Sequence, residues 1–470
     1  MLTITKTRAL YESYVNDPQR AGGRGRHAFV TQVRHWLGLC DKHGNNHRDP
    51  AGNRRIREAK MQPNEFDIGE LAASLIGAAY KDYFDPSNPG SMAGLARHRL
   101  LVEGAHPGDE RALLEATGVG VDVSAFANIN AWTGVVGGLI ERKILEAFES
   151  PEFIADELMP AEPTKVKEGQ KVIGVSRIGD KAEERQPGEP HRRAGVGERF
   201  VTLQGTRENA LAIDVFKEAV FFDLTGQLLE HAAQVGEWLA YRKEIDCIDA
   251  FIGVTTQSGG RYQFTYRNAV YNTYSTSAQA QANNNNIPIG YMNQQPNELI
   301  DWTNLESSWL LFVRTTDPET QTRVRVMPDT LLVNPGKLAT AELIVGATNL
   351  ERRTAVGATQ ATAGVLQVGQ GAGNPAGRFG TKKILYSPLV EQRCTDATGL
   401  NLNQANATKY WWHFQRGKAF KYMQNWPLNV AQAPSNSYDM LDRGIVASYF
   451  ANERGMPSVW SPWHVVLNTN

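Results

Sequence analysis

The chain has 470 residues, a formal net charge of −1 from 49 basic and 50 acidic residues, and three cysteines. This length accommodates two or three domains or one large elaborated fold. The balanced charge argues against a whole-molecule nucleic-acid or membrane binder, and the wide spacing of Cys40, Cys247 and Cys394 argues against a disulfide framework.

The first ten residues, MLTITKTRAL, lack the uninterrupted apolar core of a signal peptide, and no apolar run is long enough to cross a bilayer. A soluble protein made in a reducing cytoplasm is expected. Residues 1–125 read as a helical block broken by Gly and Pro, with HAFVTQVRHWLGL, FDIGELAASLIGAAYKDYF and ERALLEATG as its apolar segments. Between the first two lies CDKHGNNHRDPAGNRRIREAK. Arg20, Arg24, Arg26, Arg34, Arg48, Arg54, Arg55 and Arg57 give the block a local positive excess. It is either a solvated arm or a surface that neutralises phosphates, and only the second makes binding fall steeply with salt. The same stretch holds Cys40, His43 and His47, with His35 nearby. These are zinc-ligand types, but a fourth ligand is missing, so a polar loop is the simpler reading and no metal is expected.

Residues 126–160 read as an extended or part-helical arm, in which Leu139, Ile140, Ile144, Leu145 and Phe148 form a short amphipathic helix before Pro151. From Thr164 the period changes to two. KVIGVSRI and FVTLQ flank the polar tip GDKAEERQPGEPHRRAGVGER, which describes a long hairpin. An isolated two-stranded ribbon is only marginally stable in water. Its tip, with Glu183, Glu184, Arg185, Glu189, Arg192 and Arg193, is therefore expected to be ordered by another chain. A strand, ALAIDVFKEAVFFD, follows.

Asp223 to Gly253 is the dominant element. Leu224, Leu228, Val235 and Leu239 recur at helical spacing, and Leu229, Ala232 and Ala233 widen the stripe. Asp223 and Thr225 are N-cap types and Gly253 is a C-cap. Such a helix reaches roughly 45 Å, long enough to act as a beam. Asp246 and Asp249 lie three apart on it, but helix-surface acids are common and no catalytic pair is expected.

Residues 254–300 are rich in Gln, Asn, Ser and Tyr and read as a polar surface insertion with room for a Tyr-rich hairpin. NLESSWLLFVRTTD is a helix, RVRVMP and TLLVNP are short strands, and KLATAELIVGA is a helix. The Gly-rich loop from Gly369 to Lys383 matches no phosphate-binding spacing. TKKILYSPLV reads as a strand. The last segment mixes strands (WWHFQRG, FKYMQNW, PLNVAQA) with a helix near SYDMLDRGIVASYFANERG. Trp411, Trp412, Trp426, Trp460 and Trp463 crowd it, mostly as core, with a share available to anchor an interface. The pattern is α+β around one dominant helix. No G-x-S-x-G elbow or H-E-x-x-H site is present.

The order of these features, and above all FFDLTGQLLEHA and DPETQTRVRVMPDTLLVNPGKLATAELI, resembles the major capsid proteins of tailed bacteriophages, the Hong Kong 97-type fold. The resemblance covers roughly residues 126–470. It implies an α+β capsid fold with a long spine helix, peripheral and axial domains, an extended β-hairpin loop and an N-terminal arm. Residues 1–125 would be a helical extension, scaffold-like or retained, and 126–163 the N-arm. Residues 164–208 would be the extended loop over a neighbouring subunit. Residues 209–302 would be the peripheral domain, with the spine helix at 223–253 and the polar insertion at 254–300. Residues 303–400 would build the axial domain, and 401–470 would return through both.

The function so implied is a non-enzymatic virion subunit without cofactors. It self-assembles in the host cytoplasm into pentamers and hexamers of an icosahedral head around double-stranded DNA, without sequence specificity or membrane contact. Portal, scaffold or decoration proteins would be further partners. The tip residues Glu183, Glu184, Arg185, Glu189, Arg192 and Arg193 are the candidates for contact between subunits. Arg24, Arg26, Arg54, Arg55 and Arg57 are the candidates facing the genome. The rivals are an encapsulin-type nanocompartment shell and, further off, a soluble enzyme with a dispersed site.

Overall fold

The computed structural model describes residues 23–48, 56–57, 59–60, 62–63, 123–168, 171–175, 198–222, 225–254, 262, 264–266, 269–276, 292–316, 323–346, 379, 383–432 and 443–469. In chain order the elements are α1 Gly23–Trp36, α2 Val123–Phe148, α3 Ala155–Leu158, β1 Ala161–Pro163, β2 Lys171–Val175, β3 Glu198–Thr202, β4 Arg207–Phe216, α4 Lys217–Phe221 and α5 Thr225–Ile252. There follow β5 Phe264–Tyr266, β6 Ala269–Tyr271, β7 Gln294–Pro296, α6 Trp302–Arg314, β8 Thr330–Val333, α7 Leu338–Gly346 and β9 Lys383–Tyr386. The last are α8 Pro388–Thr395, α9 Gln404–Ala407, β10 Trp411–Phe414, β11 Phe420–Gln432, β12 Ile445–Val459 and β13 Val465–Thr469.

The chain forms two units, each drawn from three stretches of sequence. Unit 1 is Met1–Ser150, Glu208–Arg242 and Trp426–Arg454; unit 2 is Pro151–Arg207, Lys243–Asn425 and Gly455–Asn470. In unit 1, α2 is a continuous helix of 26 residues, not the short helix within an extended arm that its sequence predicts. The misleading signal is GVVGG: each helical glycine costs about 1 kcal/mol relative to alanine. Here the glycines admit neighbours. A Cβ on Gly137 would lie 2.8 Å from the Tyr449 ring, whose hydroxyl donates to the Thr133 carbonyl at 2.9 Å. Trp132, Val136, Leu139, Ile140 and Ile144 bury the apolar face of α2 with Ile213 and Val215 of β4 and Leu228, Leu229 and Ala232 of α5. Where α2 and α5 cross, a Cβ on Gly236 would stand 2.3 Å from the Ile144 carbonyl oxygen. The strand reading of ALAIDVFKEAVFFD holds only to Phe216; α4 follows it.

In unit 2 a five-stranded sheet runs β7-β13-β10-β8-β9. β10 pairs antiparallel with β13 and β8, and the outer pairs β13–β7 and β8–β9 are parallel. Every residue of β8, β10 and β13 is buried, which explains their near-continuous apolar sequences. His413 of β10 is among them, with its ring 5.5 Å from that of Phe312. Burial holds its imidazole pKa down to about 3. α6 starts at a capping box in which Asp301 accepts from the Thr303 amide at 2.8 Å and Asn304 accepts from the Asp301 amide at 2.9 Å. A second sheet, β2-β3-β5-β6, begins with the antiparallel stem Lys171↔Thr202 to Val175↔Glu198. The tip of that hairpin lies outside the described residues.

Four segments differ from what their sequence predicts. The segment 254–300 is not simply a polar surface insertion: β5 and β6 form its hairpin, and Tyr262, Phe264, Tyr271 and Tyr274 are buried in the main core of unit 2. Its aromatic residues find cover that its Asn and Gln content conceals. IVASYFANERG is not helical but opens β12, where Tyr449, Ala451 and Glu453 alternate with more exposed residues. RVRVMP is not a strand. Its Arg323 makes one bridge with Thr316, and Val324 and Val326 are buried without a ladder. FKYMQNW and PLNVAQA form the single strand β11.

Candidate functional site: exposed apolar residues and a buried polar cluster

The described surface carries large apolar side chains without cover. In unit 1 these include Phe222 and Trp238, each 62% exposed. In unit 2 they include Ile300 at 66% and Leu343 at 71%, with Met327 and Tyr386 about half exposed. Single exposed apolar residues are ordinary. Phe222 and Trp238 are different in kind, since aromatic side chains of this size carry interface energy when covered. The C-terminal tryptophans divide. Trp411, Trp412 and Trp463 are core. Trp426 lies under the Arg454 guanidinium at 5.4 Å and Trp460 under the Lys421 ammonium at 4.1 Å.

The last ten residues of α5 build a buried polar cluster in unit 2. Lys243, Glu244, Asp246 and Asp249 are all buried there, beside Cys247, Ile248, Phe251 and Ile252. The Arg393 guanidinium grips Asp249 with two bonds, Nε to Oδ1 at 2.7 Å and Nη2 to Oδ2 at 2.8 Å. It also donates to Asp396 at 2.8 Å and to Thr398 Oγ1 at 2.7 Å. The hydrogen bonds to Asp249 raise the Arg393 pKa and outweigh its desolvation. Tyr262 donates its hydroxyl to Asp246 at 3.1 Å. Glu244 accepts from the Ile154 amide at 3.0 Å and from Ser387 Oγ at 2.7 Å. Burial pushes its carboxyl pKa up, against the two hydrogen bonds. Lys243 Nζ reaches Asp156 at 2.8 Å. Glu244, Asp246 and Asp249 are thus structural partners. The sequence points to this only through the apolar residues that surround them on all sides, which leaves no face for solvent.

The residues singled out from sequence fall in scattered places. Arg57 is exposed; its carbonyl accepts from Arg142 Nη1 at 3.2 Å. Arg24 and Arg26 lie on α1. Arg54 and Arg55 lie outside the described residues, as do Glu183, Glu184, Arg185, Glu189, Arg192 and Arg193. Cys40 is buried and its Sγ donates to the Thr31 carbonyl at 3.7 Å, while His35 Nδ1 lies 3.0 Å from the Cys40 carbonyl. Among the described residues no cluster of His, Cys, Asp and Glu is arranged to hold a metal. Among them, too, no helix is long and apolar enough to cross a membrane.

A family model described as phage capsid protein matches residues 206–449, more than half of the 470. The chain belongs to the phage capsid protein family. In this capsid protein the matched span runs from just before β4, through α5 and the five-stranded sheet's β8, β9 and β10, into β12. Its α+β architecture agrees with the Hong Kong 97-type fold, and its role is that of a major capsid subunit of the virion. Solved structures similar to this capsid protein include one from Mycobacterium phage Ogopogo, 14% identical, covering 68% of this chain and 93% of that one, with a TM-score of 0.35. The capsid of cyanophage P-SCSP1u is 14% identical over 67% of this chain and 88% of that one, with a TM-score of 0.38. The SrpI encapsulin complex from Synechococcus elongatus is 11% identical over 68% and 87%, with a TM-score of 0.35. No protein with a curated description matches the capsid protein's sequence.

Proposed function

We propose that this capsid subunit repeats as pentamers and hexamers in an icosahedral head around double-stranded DNA. The family assignment carries the reading, and the uncovered Phe222, Trp238, Ile300 and Leu343 support it. A closed symmetric shell covers such side chains by repeating one contact. The hairpin tip, with Glu183, Glu184, Arg185, Glu189, Arg192 and Arg193, reaches a neighbouring subunit and sets register through paired charges. Arg24, Arg26, Arg54, Arg55 and Arg57 face the genome and neutralise phosphates without reading sequence. Assembly takes place in the host cytoplasm, with portal, scaffold or decoration proteins as partners. The subunit performs no catalysis of its own.

Electron microscopy of the purified chain, followed by nuclease protection of particles from infected cells, tests this. The expected result is a closed shell whose DNA resists nuclease. A shell holding protein cargo and no DNA would favour a nanocompartment. A small soluble oligomer at high concentration would sink the reading.

A further inference from the structure

The sequence leaves open what becomes of the block before residue 126. In unit 1, α1 lies along α2 at two glycines four apart, on one helix face. A Cβ on Gly134 would lie 3.2 Å from Val30 Cγ1 and 4.0 Å from Val30 Cβ. One turn on, a Cβ on Gly138 would lie 3.4 Å from Arg34 Cγ and 3.6 Å from Leu37 Cδ1. Val33, Leu37 and Leu39 are at most 3% exposed and belong to the same core cluster as Trp132, Leu139 and Ile140.

Polar contacts fix this seat. Arg34 Nη2 stands 2.8 Å from Glu141 Oε2, and the Glu141 side chain is buried. Arg142 Nη1 donates to the Arg57 carbonyl. The chain doubles back at Gly38, whose φ of +73° suits glycine and whose Cβ would meet the Arg57 carbonyl oxygen at 2.3 Å. Arg57 N donates to the Gly38 carbonyl at 3.1 Å and Lys60 N to the Trp36 carbonyl at 2.8 Å. A segment meant to leave would strip Glu141 of Arg34 and open a glycine-lined helix face to water.

We infer that residues 30–39, together with Arg57 and Lys60, are a permanent clamp on α2, closed over Gly134 and Gly138 within the same chain and retained by the subunit in the finished shell. The retention in a shell rests on the proposed function above; the clamp itself does not. The V30C/G134C variant of the full chain tests both. The 4.0 Å between the two Cβ positions suits a disulfide, for which about 3.5–4.5 Å is usual. Cys40, Cys247 and Cys394 are buried. Mild oxidation is expected to link the two positions within nearly every chain. Shells from the oxidised variant should equal those from its reduced form, and peptide mass spectrometry of wild-type shells should recover residues 30–60.

No linkage in the dispersed chain, linkage between chains only, or wild-type shells lacking residues 30–60 would each overturn the clamp. Loss of assembly on oxidation, with the reduced form still assembling, would do the same. If neither form nor the wild type builds shells, the shell reading falls, while linkage in the dispersed chain still decides the clamp. A cysteine-free check is Gly138→Leu, which fills the groove from the α2 side. It is expected to open Arg34 to trypsin; unchanged resistance there counts against the clamp.

Discussion

The two ends of α5 solve burial in opposite ways. Toward its start, in unit 1, Leu228, Leu229, Ala232 and Leu239 face the core, while Glu230, His231, Gln234, Glu237 and Trp238 face out. That is ordinary amphipathic packing. From Lys243 onward, in unit 2, the helix has almost no outer face, and its ionisable residues are buried and paired. Apolar packing tolerates volume-conserving change at modest cost. A buried pair does not tolerate loss of one partner, because the survivor is left charged without water. The first half of the helix therefore holds by fit, and the second half by specific partners.

The sharpest way to break this contrast is Arg393→Ala. It strands the Asp249 carboxylate and is expected to cost about 3–5 kcal/mol in urea unfolding. The double change Asp249→Leu with Arg393→Met should recover most of that loss; if it does not, the pair is doing more than satisfying itself. In the first half the corresponding probe is steric. Gly236→Ala places a Cβ against the Ile144 carbonyl, and is expected to destabilise by about 1–3 kcal/mol despite alanine's better helix propensity. Gly226→Ala meets nothing within 4 Å and should stabilise, by less than about 1 kcal/mol.

Glu244→Gln sharpens the comparison through pH. The raised carboxyl pKa of folded Glu244 means that the folded chain holds its proton more tightly than the unfolded one. That contribution is complete below the ordinary carboxylate range and is lost as pH rises through the raised value. The amide removes this loss, so the variant's stability relative to wild type should improve from acid toward neutral pH. A pH-independent difference would mean that Glu244 is ionised in place. Smallest in effect on the isolated chain is Trp238→Ser, within about 0.5 kcal/mol of wild type by denaturation. The same change should reduce shell yield, and unaltered assembly would remove Trp238 from the contact surface.

The sequence carried α5 almost to the residue, because its apolar stripe holds over many turns and Gly253 closes it at a φ of +83°. It carried the β2–β3 stem through alternation, and α6 through its apolar spacing. It misled wherever one residue type served an unusual purpose. Gly134, Gly137 and Gly138 look like breakers until α1 and Tyr449 are seen against them. The strand reading of TKKILYSPLV holds only to Tyr386, because Ser387 accepts from the Leu389 amide and Pro388 takes the first helical position of α8. The partners of Asp249 and Glu244, Arg393 and Ser387, come from well over a hundred residues away in sequence, beyond the reach of any local pattern. Trp238 lies off the apolar stripe of α5 and faces out as that spacing predicts, but whether a neighbour covers it is not written in any periodicity.

His413 makes the fold sensitive to acid. Between its ordinary pKa of 6.5 and its folded value of about 3, the unfolded chain takes up a proton that the native chain refuses. Acid therefore erodes stability across that window while the native ring remains neutral. Across the window the proton is therefore bound on unfolding, when burial between β8 and β13 is lost. Urea unfolding should accordingly need less denaturant as pH falls from about 6.5 toward about 3, and replacing His413 with a neutral ring of similar size should flatten that slope.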